Sequence, residues 1–255
     1  MNAQTQKIAL ITGGSRGLGR NSAESLARTG VDSVITYHSR AAEAQAVVAK
    51  LQAEGRKAVA LQLDTGATQT FAGFAEKLKK TLQDTWGRST FDYLVNNAGI
   101  SHHAAFDKVT EEELDSLYQV HFKGVFFLTQ KLLPLINDGG RIVMLSSGTT
   151  RIIFPGSGAY ASMKGAIEIL TLYLAKELGA RRIAVNTVAP GAIATDFSGG
   201  IVRDNPQVNQ AVADHTALGR AGMPDDVGPV IAALVSDDFG WVNAQRIEVA
   251  GGVHI

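Results

Sequence analysis

The stretch Lys7-Ile-Ala-Leu-Ile-Thr-Gly-Gly-Ser-Arg-Gly-Leu-Gly19 decides the fold of this chain. Its apolar first half predicts a short buried strand, and its second half predicts a glycine turn that opens a helix. Gly13, Gly17 and Gly19 would allow a tight turn and a close approach of the backbone to a pyrophosphate, which the N-terminus of a helix attracts. A glycine turn without a ligand is the alternative, and the strand–turn–helix context disfavours it.

The rest of the chain alternates between apolar runs and helical patterns. Strands are predicted at residues 7–12, 31–37, 57–64, 91–96, 140–146, 182–188 and 246–249. Helices are predicted at residues 17–29, 40–54, 68–86, 110–135, 157–178 and 225–236. Such alternation implies right-handed crossovers and therefore an α/β fold, a doubly wound parallel sheet with helices on both faces. We expect a single domain over residues 1–255, with the irregular stretch 192–215 as a candidate lid.

The composition excludes several classes of protein. The 24 basic and 24 acidic residues cancel, so no basic surface predicts nucleic-acid binding. The sequence contains no cysteine, which excludes disulfides, thiolate metal sites and cysteine nucleophiles within this chain. The polar start at residues 1–7 and the lack of long apolar runs predict neither a signal peptide nor a membrane span. We therefore expect a cytoplasmic protein.

The end of the second predicted strand indicates which dinucleotide would bind. It reads Thr36-Tyr-His-Ser-Arg40, without the Asp or Glu that usually binds the ribose hydroxyls of NAD. Arg16 lies inside the glycine turn, so a 2′-phosphate would meet the guanidinium groups of Arg16 and Arg40. The pattern favours NADP over NAD. The alternative for Arg40 is a solvated residue in the first turn of a helix.

Polar residues also end the third and fourth predicted strands. Asp64 ends the third, and Asn96-Asn-Ala-Gly99 ends the fourth. Because ligands bind beyond the carboxyl ends of such strands, Asp64 is a candidate acceptor for the adenine amino group, and the turn at 96–99 is a candidate neighbour of the adenosine ribose. Either segment could equally be a strand-end turn.

Tyr160 and Lys164 are the candidate catalytic pair. They are four residues apart and share one face of a predicted helix, with Ser147 upstream. A nearby ammonium would lower the pKa of the phenol, which is about 10 in free solution, toward the range useful for acid–base catalysis. Serine and tyrosine hydroxyls aimed at one carbonyl oxygen would stabilise the negative charge left by hydride addition and deliver a proton.

Together these motifs resemble those of the short-chain dehydrogenase/reductase family. The resemblance runs from the glycine turn through Asn96-Asn-Ala-Gly99, Ser147, Tyr160-x-x-x-Lys164 and Pro190-Gly191, in the family's order. It is closest to the single-domain branch that includes 3-oxoacyl-carrier-protein reductases. It implies a Rossmann-type fold, a nicotinamide cofactor and often a homotetramer, assembled through the helices at 110–135 and 157–178.

The resemblance also implies roles for individual residues. Tyr160 would be the general acid/base, Lys164 would hold the nicotinamide ribose, and Ser147 would hydrogen-bond the substrate oxygen. The segment 188–195 would meet the nicotinamide carboxamide. The expected cofactor-binding set is Gly13, Ser15, Arg16, Gly17, Leu18, Gly19, His38, Ser39, Arg40, Asp64, Asn96, Ala98, Gly99, Tyr160, Lys164, Pro190, Gly191, Ile193 and Thr195.

The sequence departs from the family pattern at two positions. His121 stands where the family has an asparagine, and Ala250 stands where an aspartate is frequent. We expect His121 to lie in the catalytic site beside Lys164, bonded to water or backbone, with a pKa below the usual ~6.5 because of like-charge repulsion. Packing without a catalytic role is the alternative. His102 and His103 share no ligand spacing with a third group, so no metal site is expected.

The favoured function is that of an NADP-dependent oxidoreductase that transfers a hydride between nicotinamide and a carbonyl or secondary alcohol substrate. The substrate mouth is expected between residues 101–106, 148–154 and 192–215, which carry no strong basic cluster and suit a small or medium uncharged ketone. One alternative is a 3-oxoacyl-carrier-protein reductase, which would need Arg151 and Arg203 to meet an acidic partner. The other is a dinucleotide-binding sensor or scaffold without turnover.

Overall fold

The computed structural model describes residues 6–254, and the polar start at 1–5, for which we predict no signal peptide, lies outside them. Within that range, seven parallel strands form one sheet in the order β3-β2-β1-β4-β5-β6-β7. The strands are β1 (Ile8–Ile11), β2 (Asp32–Tyr37), β3 (Ala58–Gln62), β4 (Phe91–Asn96), β5 (Ile136–Leu145), β6 (Ala184–Pro190) and β7 (Arg246–Val249). The strand order reverses between β1 and β4, which opens a crevice at the carboxyl edge of the sheet.

Helices cover both faces of this sheet. They are α1 (Gly17–Arg28), α2 (Ala41–Ala53), α3 (Phe71–Trp86), α4 (Glu111–Tyr118), α5 (Gly124–Leu132), α6 (Gly158–Glu177), α7 (Ile201–Asp204), α8 (Pro206–Asp214) and α9 (Pro224–Val235). One core packs α3, α5 and α6 against the sheet through residues such as Phe71 and Ile167. The other packs α1, α2 and α9 against the opposite face through residues such as Leu26 and Ile231. The predicted single-domain, Rossmann-type fold is confirmed.

The predicted helix at 110–135 is not continuous. It begins as expected, because Thr110 and Glu113 form a capping box. A π-helical turn at Gln119–Lys123 then separates α4 from α5. Just beyond it, a Cβ on Gly124 would lie only 1.9 Å from the Thr65 carbonyl oxygen, so the helix backbone presses directly on the loop after β3. His121 lies inside the π-helical turn, which therefore sets the direction of its ring.

The stretch 192–215 is more regular than its composition predicts. It contains α7 and α8, and Asn205 caps α8 by accepting hydrogen bonds from the backbone N–H groups of Gln207 and Val208. An asparagine followed by Pro206 is a recognisable helix start, so the sequence could have indicated this helix. Ser198, Gly199 and Gly200, directly before α7, have positive φ angles. This left-handed backbone explains why two of the three residues are glycines. In the described part of the chain, no helix is long and apolar enough to cross a bilayer.

Candidate active site

The glycine turn between β1 and α1 has the shape of a phosphate cradle. Gly13 has φ +66°, and a Cβ there would lie 3.0 Å from the Ala98 Cα. A Cβ on Gly19 would lie 2.3 Å from the Gly13 carbonyl oxygen, so this close packing requires glycine. Arg16, the residue at the N-cap position of α1, makes no side-chain capping hydrogen bond with the described residues. The N–H groups and dipole of that helix end thus fit a pyrophosphate, as the sequence predicts.

A hydrogen-bonded junction fixes this turn against the end of β4. The Asn97 side chain donates to the carbonyl oxygens of Thr12 (2.8 Å) and Gly13 (3.3 Å). The Thr12 hydroxyl accepts from the backbone N–H groups of Asn97 (2.9 Å) and Ala98 (3.0 Å). Thr12 and Asn97 belong to two of the predicted motifs but not to the expected cofactor-binding set, although the adjacency of the first and fourth strands in a doubly wound sheet could have indicated their contact.

The two arginines expected to meet a 2′-phosphate lie at the same edge, and each already holds a carboxylate. Arg40, next to α2, donates to Glu43 at 2.5 Å. Arg16, in the glycine turn, pairs with Asp196 of the 192–215 stretch. Glu43 and Asp196 were not among the predicted site residues.

The segment that follows β2 contains no carboxylate. The nearby Asp64, which follows β3, uses one of its two carboxylate oxygens to stabilise a turn. His38, Ser39 and Arg40 are exposed there. Asp64 accepts from the backbone N–H of Gly66 at 2.8 Å, and its other oxygen lies 3.7 Å from the His38 Nε2. One oxygen of Asp64 therefore has the strand-end turn role that was the alternative to adenine binding. The other oxygen lies near His38 and could still accept a hydrogen bond from a ligand.

Three further residues of the expected cofactor-binding set lie near the carboxyl ends of β4 and β6. Asn96 is buried, and its side chain donates to the Thr129 hydroxyl at 3.0 Å, so this side chain points into the core. Thr195, five residues beyond the end of β6, is buried, and its hydroxyl accepts from the Phe197 N–H at 3.2 Å. Ile193 bridges to Gly222, which fixes the exit of this segment from the sheet.

Ser147, Tyr160 and Lys164 come together where β5 ends and α6 begins. The Ser147 oxygen accepts from the Thr149 backbone N–H at 3.2 Å and from the Thr149 hydroxyl at 3.0 Å. With both acceptor positions used, the Ser147 hydroxyl can act only as a further donor, toward the Tyr160 oxygen or a substrate. The buried Lys164 Nζ lies 5.6 Å from the Tyr160 ring centroid and donates to the Leu145 carbonyl oxygen at 2.7 Å.

The expected lowering of the Tyr160 pKa by Lys164 is wrong for this arrangement. Burial raises the pKa of Tyr160 to about 12, and the Ser147 hydroxyl opposes this only in part. Burial also lowers the pKa of Lys164 to about 7, because its ammonium has lost water. Helical spacing brought the two residues together, but it could not show that Nζ is directed to a backbone carbonyl rather than to the phenol.

His121 lies against the catalytic tyrosine candidate. It is 1% exposed, and its ring contacts the Tyr160 ring edge-on with centroids 5.2 Å apart. Nε2 lies 2.7 Å from the carbonyl oxygen and 3.1 Å from the N–H of Ile100, while Nδ1 has no hydrogen-bond partner among the described residues. Burial, reinforced by Lys164, lowers the pKa of His121 to about 3. The ring is thus neutral and backbone-bonded, as the sequence predicts.

The comparisons with known proteins agree with this geometry. The family described as Enoyl-(Acyl carrier protein) reductase matches residues 13–254. Tetrahydroxynaphthalene reductase PfmaG of Pestalotiopsis fici is 34% identical over 257 residues, covering 96% of this chain and 91% of the relative.

Two solved structures are similar along nearly the whole chain. LugOII, a promiscuous reductase that catalyses keto-reduction at C1 during lugdunomycin biosynthesis, is 37% identical with a TM-score of 0.93, covering 98% of this chain and 99% of that chain. The angucycline C-6 ketoreductase LanV, solved with bound NADP, is 34% identical with a TM-score of 0.92, covering 97% and 95%. The chain belongs to the short-chain dehydrogenase/reductase family. The family resemblance and the oxidoreductase class predicted from the sequence are thereby confirmed.

A network that sequence reasoning missed supports the serine loop of this short-chain dehydrogenase/reductase. Glu168, one helical turn after Lys164 on α6, accepts from Ser146 at 2.6 Å and from Thr150 at 2.8 Å. Arg246 of β7 donates to the same Glu168 oxygen at 2.7 Å. The network fixes both flanks of Ser147. The described residues contain no cluster of ligating side chains suited to a metal ion.

The buried His121 makes a prediction about stability. The pKa of His121 is about 3 in the folded protein and ~6.5 in the unfolded chain. Between about pH 6.5 and pH 3 the unfolded chain therefore binds a proton on His121 that the folded protein does not bind. The free energy of unfolding consequently falls as the pH is lowered through this range. From pH 7 to pH 5 the loss should be about 2 kcal/mol. His121→Asn should remove it, as measured by urea unfolding at both pH values. The exposed His103→Asn is the control, and equal losses in wild type and His121→Asn would contradict the buried neutral ring.

Proposed function

We propose that this protein uses NADPH to reduce a ketone on a flat, largely apolar, fused-ring substrate. NADP is the cofactor expected from the arginines at the carboxyl edge, and the related LanV was solved with it. PfmaG is named for reducing a naphthalene derivative, a fused-ring compound, while LanV and LugOII are described as keto-reducing enzymes. The finer choice of substrate rests on the rim of the site.

The rim beside the catalytic residues is aromatic and aliphatic, and this observation carries the proposal. The ring of Phe197 lies 6.2 Å from that of Tyr160, centroid to centroid, and Phe197 is exposed. The loop between Ser147 and Tyr160 exposes Ile153 and Phe154. Exposed aromatic faces next to a polar pair offer stacking surface for a planar substrate whose carbonyl reaches the hydroxyls.

The chemistry follows from the positions of the polar groups. When bound, the nicotinamide supplies the hydride. The Ser147 hydroxyl donates a hydrogen bond to the substrate oxygen and stabilises the negative charge that develops there. Tyr160, protonated at neutral pH, transfers its proton to that oxygen. Lys164 would hold the ribose of the cofactor, and its buried Nζ needs only to leave the Leu145 carbonyl to do so.

The acyl-carrier alternative is disfavoured by the charges at the mouth. Arg151 lies 3.7 Å from Glu248, and Arg203 lies 2.6 Å from Asp204. Each of the two arginines expected to meet an acidic partner is therefore already paired with an acid of this chain, which weakens its attraction for such a partner. The sensor alternative is disfavoured by the complete Ser147, Tyr160 and Lys164 set.

We further propose that four copies assemble through the helices beside the site, and that the protein works in the cytoplasm with the 192–215 stretch as a lid. Large apolar side chains exposed on α4, α5 and α6 support this assembly. They are Leu114, Tyr118, Phe126, Phe127, Ile169, Leu172 and Tyr173. Such a patch is typical of a protein–protein interface.

A substrate panel tests the proposed function. NADPH oxidation should be about two- to twelvefold more efficient, as kcat/KM, with a fused-ring ketone such as 2-tetralone than with cyclohexanone, since an aromatic contact contributes about 0.5–1.5 kcal/mol and 1.4 kcal/mol is about tenfold. Phe197→Ala should lower kcat/KM for 2-tetralone and leave kcat/KM for cyclohexanone nearly unchanged, so the ratio of the two should fall. Faster turnover of acetoacetyl thioesters than of any ketone would contradict the proposal and favour the carrier-protein alternative.

A further inference from the structure

An ion pair joins the glycine turn to the proposed lid. Arg16 lies at the N-terminus of α1, and Asp196 lies 180 residues away, directly after Thr195. A Cβ on Gly17 would lie 3.7 Å from the Asp196 Oδ1, so the start of the lid rests on the turn itself. The two segments meet at the edge of the sheet where Arg40 also lies.

The charges at this edge cancel within the protein. Arg16 pairs with Asp196, and Arg40 pairs with Glu43. The pKa of Arg40 is raised chiefly by Glu43 and to a smaller extent by Asp196, which places the lid carboxylate within electrostatic reach of both guanidinium groups. An incoming 2′-phosphate would therefore encounter two carboxylates as well as two cations.

We infer that Asp196 is a specificity-determining residue that competes with the 2′-phosphate for Arg16. The Asp196 carboxylate and the 2′-phosphate would share the Arg16 guanidinium, and the two anions repel each other when both are close. The carboxylate thus lowers the affinity for a 2′-phosphorylated nucleotide, and binding of that nucleotide releases the start of the lid. The inference rests on the proposed position of the 2′-phosphate at Arg16.

Nucleotide fragments without nicotinamide test this competition directly. Calorimetry would measure the Kd of adenosine 2′,5′-bisphosphate and of 5′-AMP for wild type, Asp196→Asn and the control Asp204→Asn, which changes another lid carboxylate. Since exposed ion pairs are weak, Asp196→Asn should tighten the bisphosphate by about two- to fivefold. The Kd of 5′-AMP should not change, and Asp204→Asn should resemble wild type.

Hydrogen exchange of the wild-type protein gives a second readout. The bisphosphate should accelerate amide exchange at residues 196–204, and 5′-AMP should not. Weaker or unchanged bisphosphate binding by Asp196→Asn, or slower exchange at 196–204, would overturn the competition. Arg16→Gln should weaken bisphosphate binding, and unchanged affinity would overturn the position of the 2′-phosphate as well. None of these results depends on ketone turnover, so the substrate panel remains a separate test.

Discussion

Tyr160→Phe should lower kcat for NADPH-dependent ketone reduction by about 10²–10⁴, because it removes the proton donor and keeps the ring. The raised pKa of Tyr160 keeps the hydroxyl protonated at pH 7, which is the form that reduction requires. The ring would continue to contact His121 and Phe197, so folding should be preserved. Steady-state rates, together with the Kd for NADPH measured by fluorescence, would separate loss of chemistry from loss of cofactor binding.

Tyr173→Phe is the matched control for this change. Tyr173 lies on the same helix, more than three turns after Tyr160, and phenylalanine keeps the apolar ring that the proposed assembly would use, so kcat should stay within about twofold. A Tyr160→Phe variant that kept a large share of wild-type kcat would show that another group supplies the proton. A variant that lost kcat and NADPH affinity equally would show that Tyr160 mainly holds the cofactor.

The sheet was predictable because its signals are local. Each strand is an apolar run of a few residues, and each adjoining helix carries a periodic pattern, so six of the seven predicted strands lie within three residues of their structural ends. The exception is β5, which begins at Ile136 because that residue pairs with Phe91 across an irregularity in the register. The two glycines at positions 139 and 140 interrupt the apolar run, so the sequence did not predict this extension of the strand. A break in strand propensity does not prevent pairing when a neighbouring strand supplies the partner.

The residues of the candidate site were predictable, but their electrostatics were not. Spacing places Lys164 one turn after Tyr160, yet their pKa values depend on burial and on the carbonyl that Nζ contacts. The partners Asp196 and Glu168 are far from Arg16 and Arg246 in sequence, so no local pattern pairs them. The π-helical turn at His121 likewise depends on the close contact between Gly124 and the loop after β3. Long-range packing decides these features.

Ser147→Ala should lower kcat by about 10²–10³, the usual cost of removing one donor to a developing oxyanion. Thr149 occupies both acceptor positions of the Ser147 hydroxyl, which leaves its proton for the substrate oxygen, and alanine has no such proton. The Kd for NADPH should not change, because the serine faces the substrate rather than the cofactor in the proposed arrangement. Ser162→Ala is the control, since that exposed hydroxyl donates back to the Gly158 carbonyl oxygen of its own helix. In the Ser147→Ala variant, Glu168 would still hold Ser146 and Thr150 in place. A kcat within about threefold of wild type would therefore show that the Ser147 hydroxyl is not needed for the chemistry and has only a structural role in the loop.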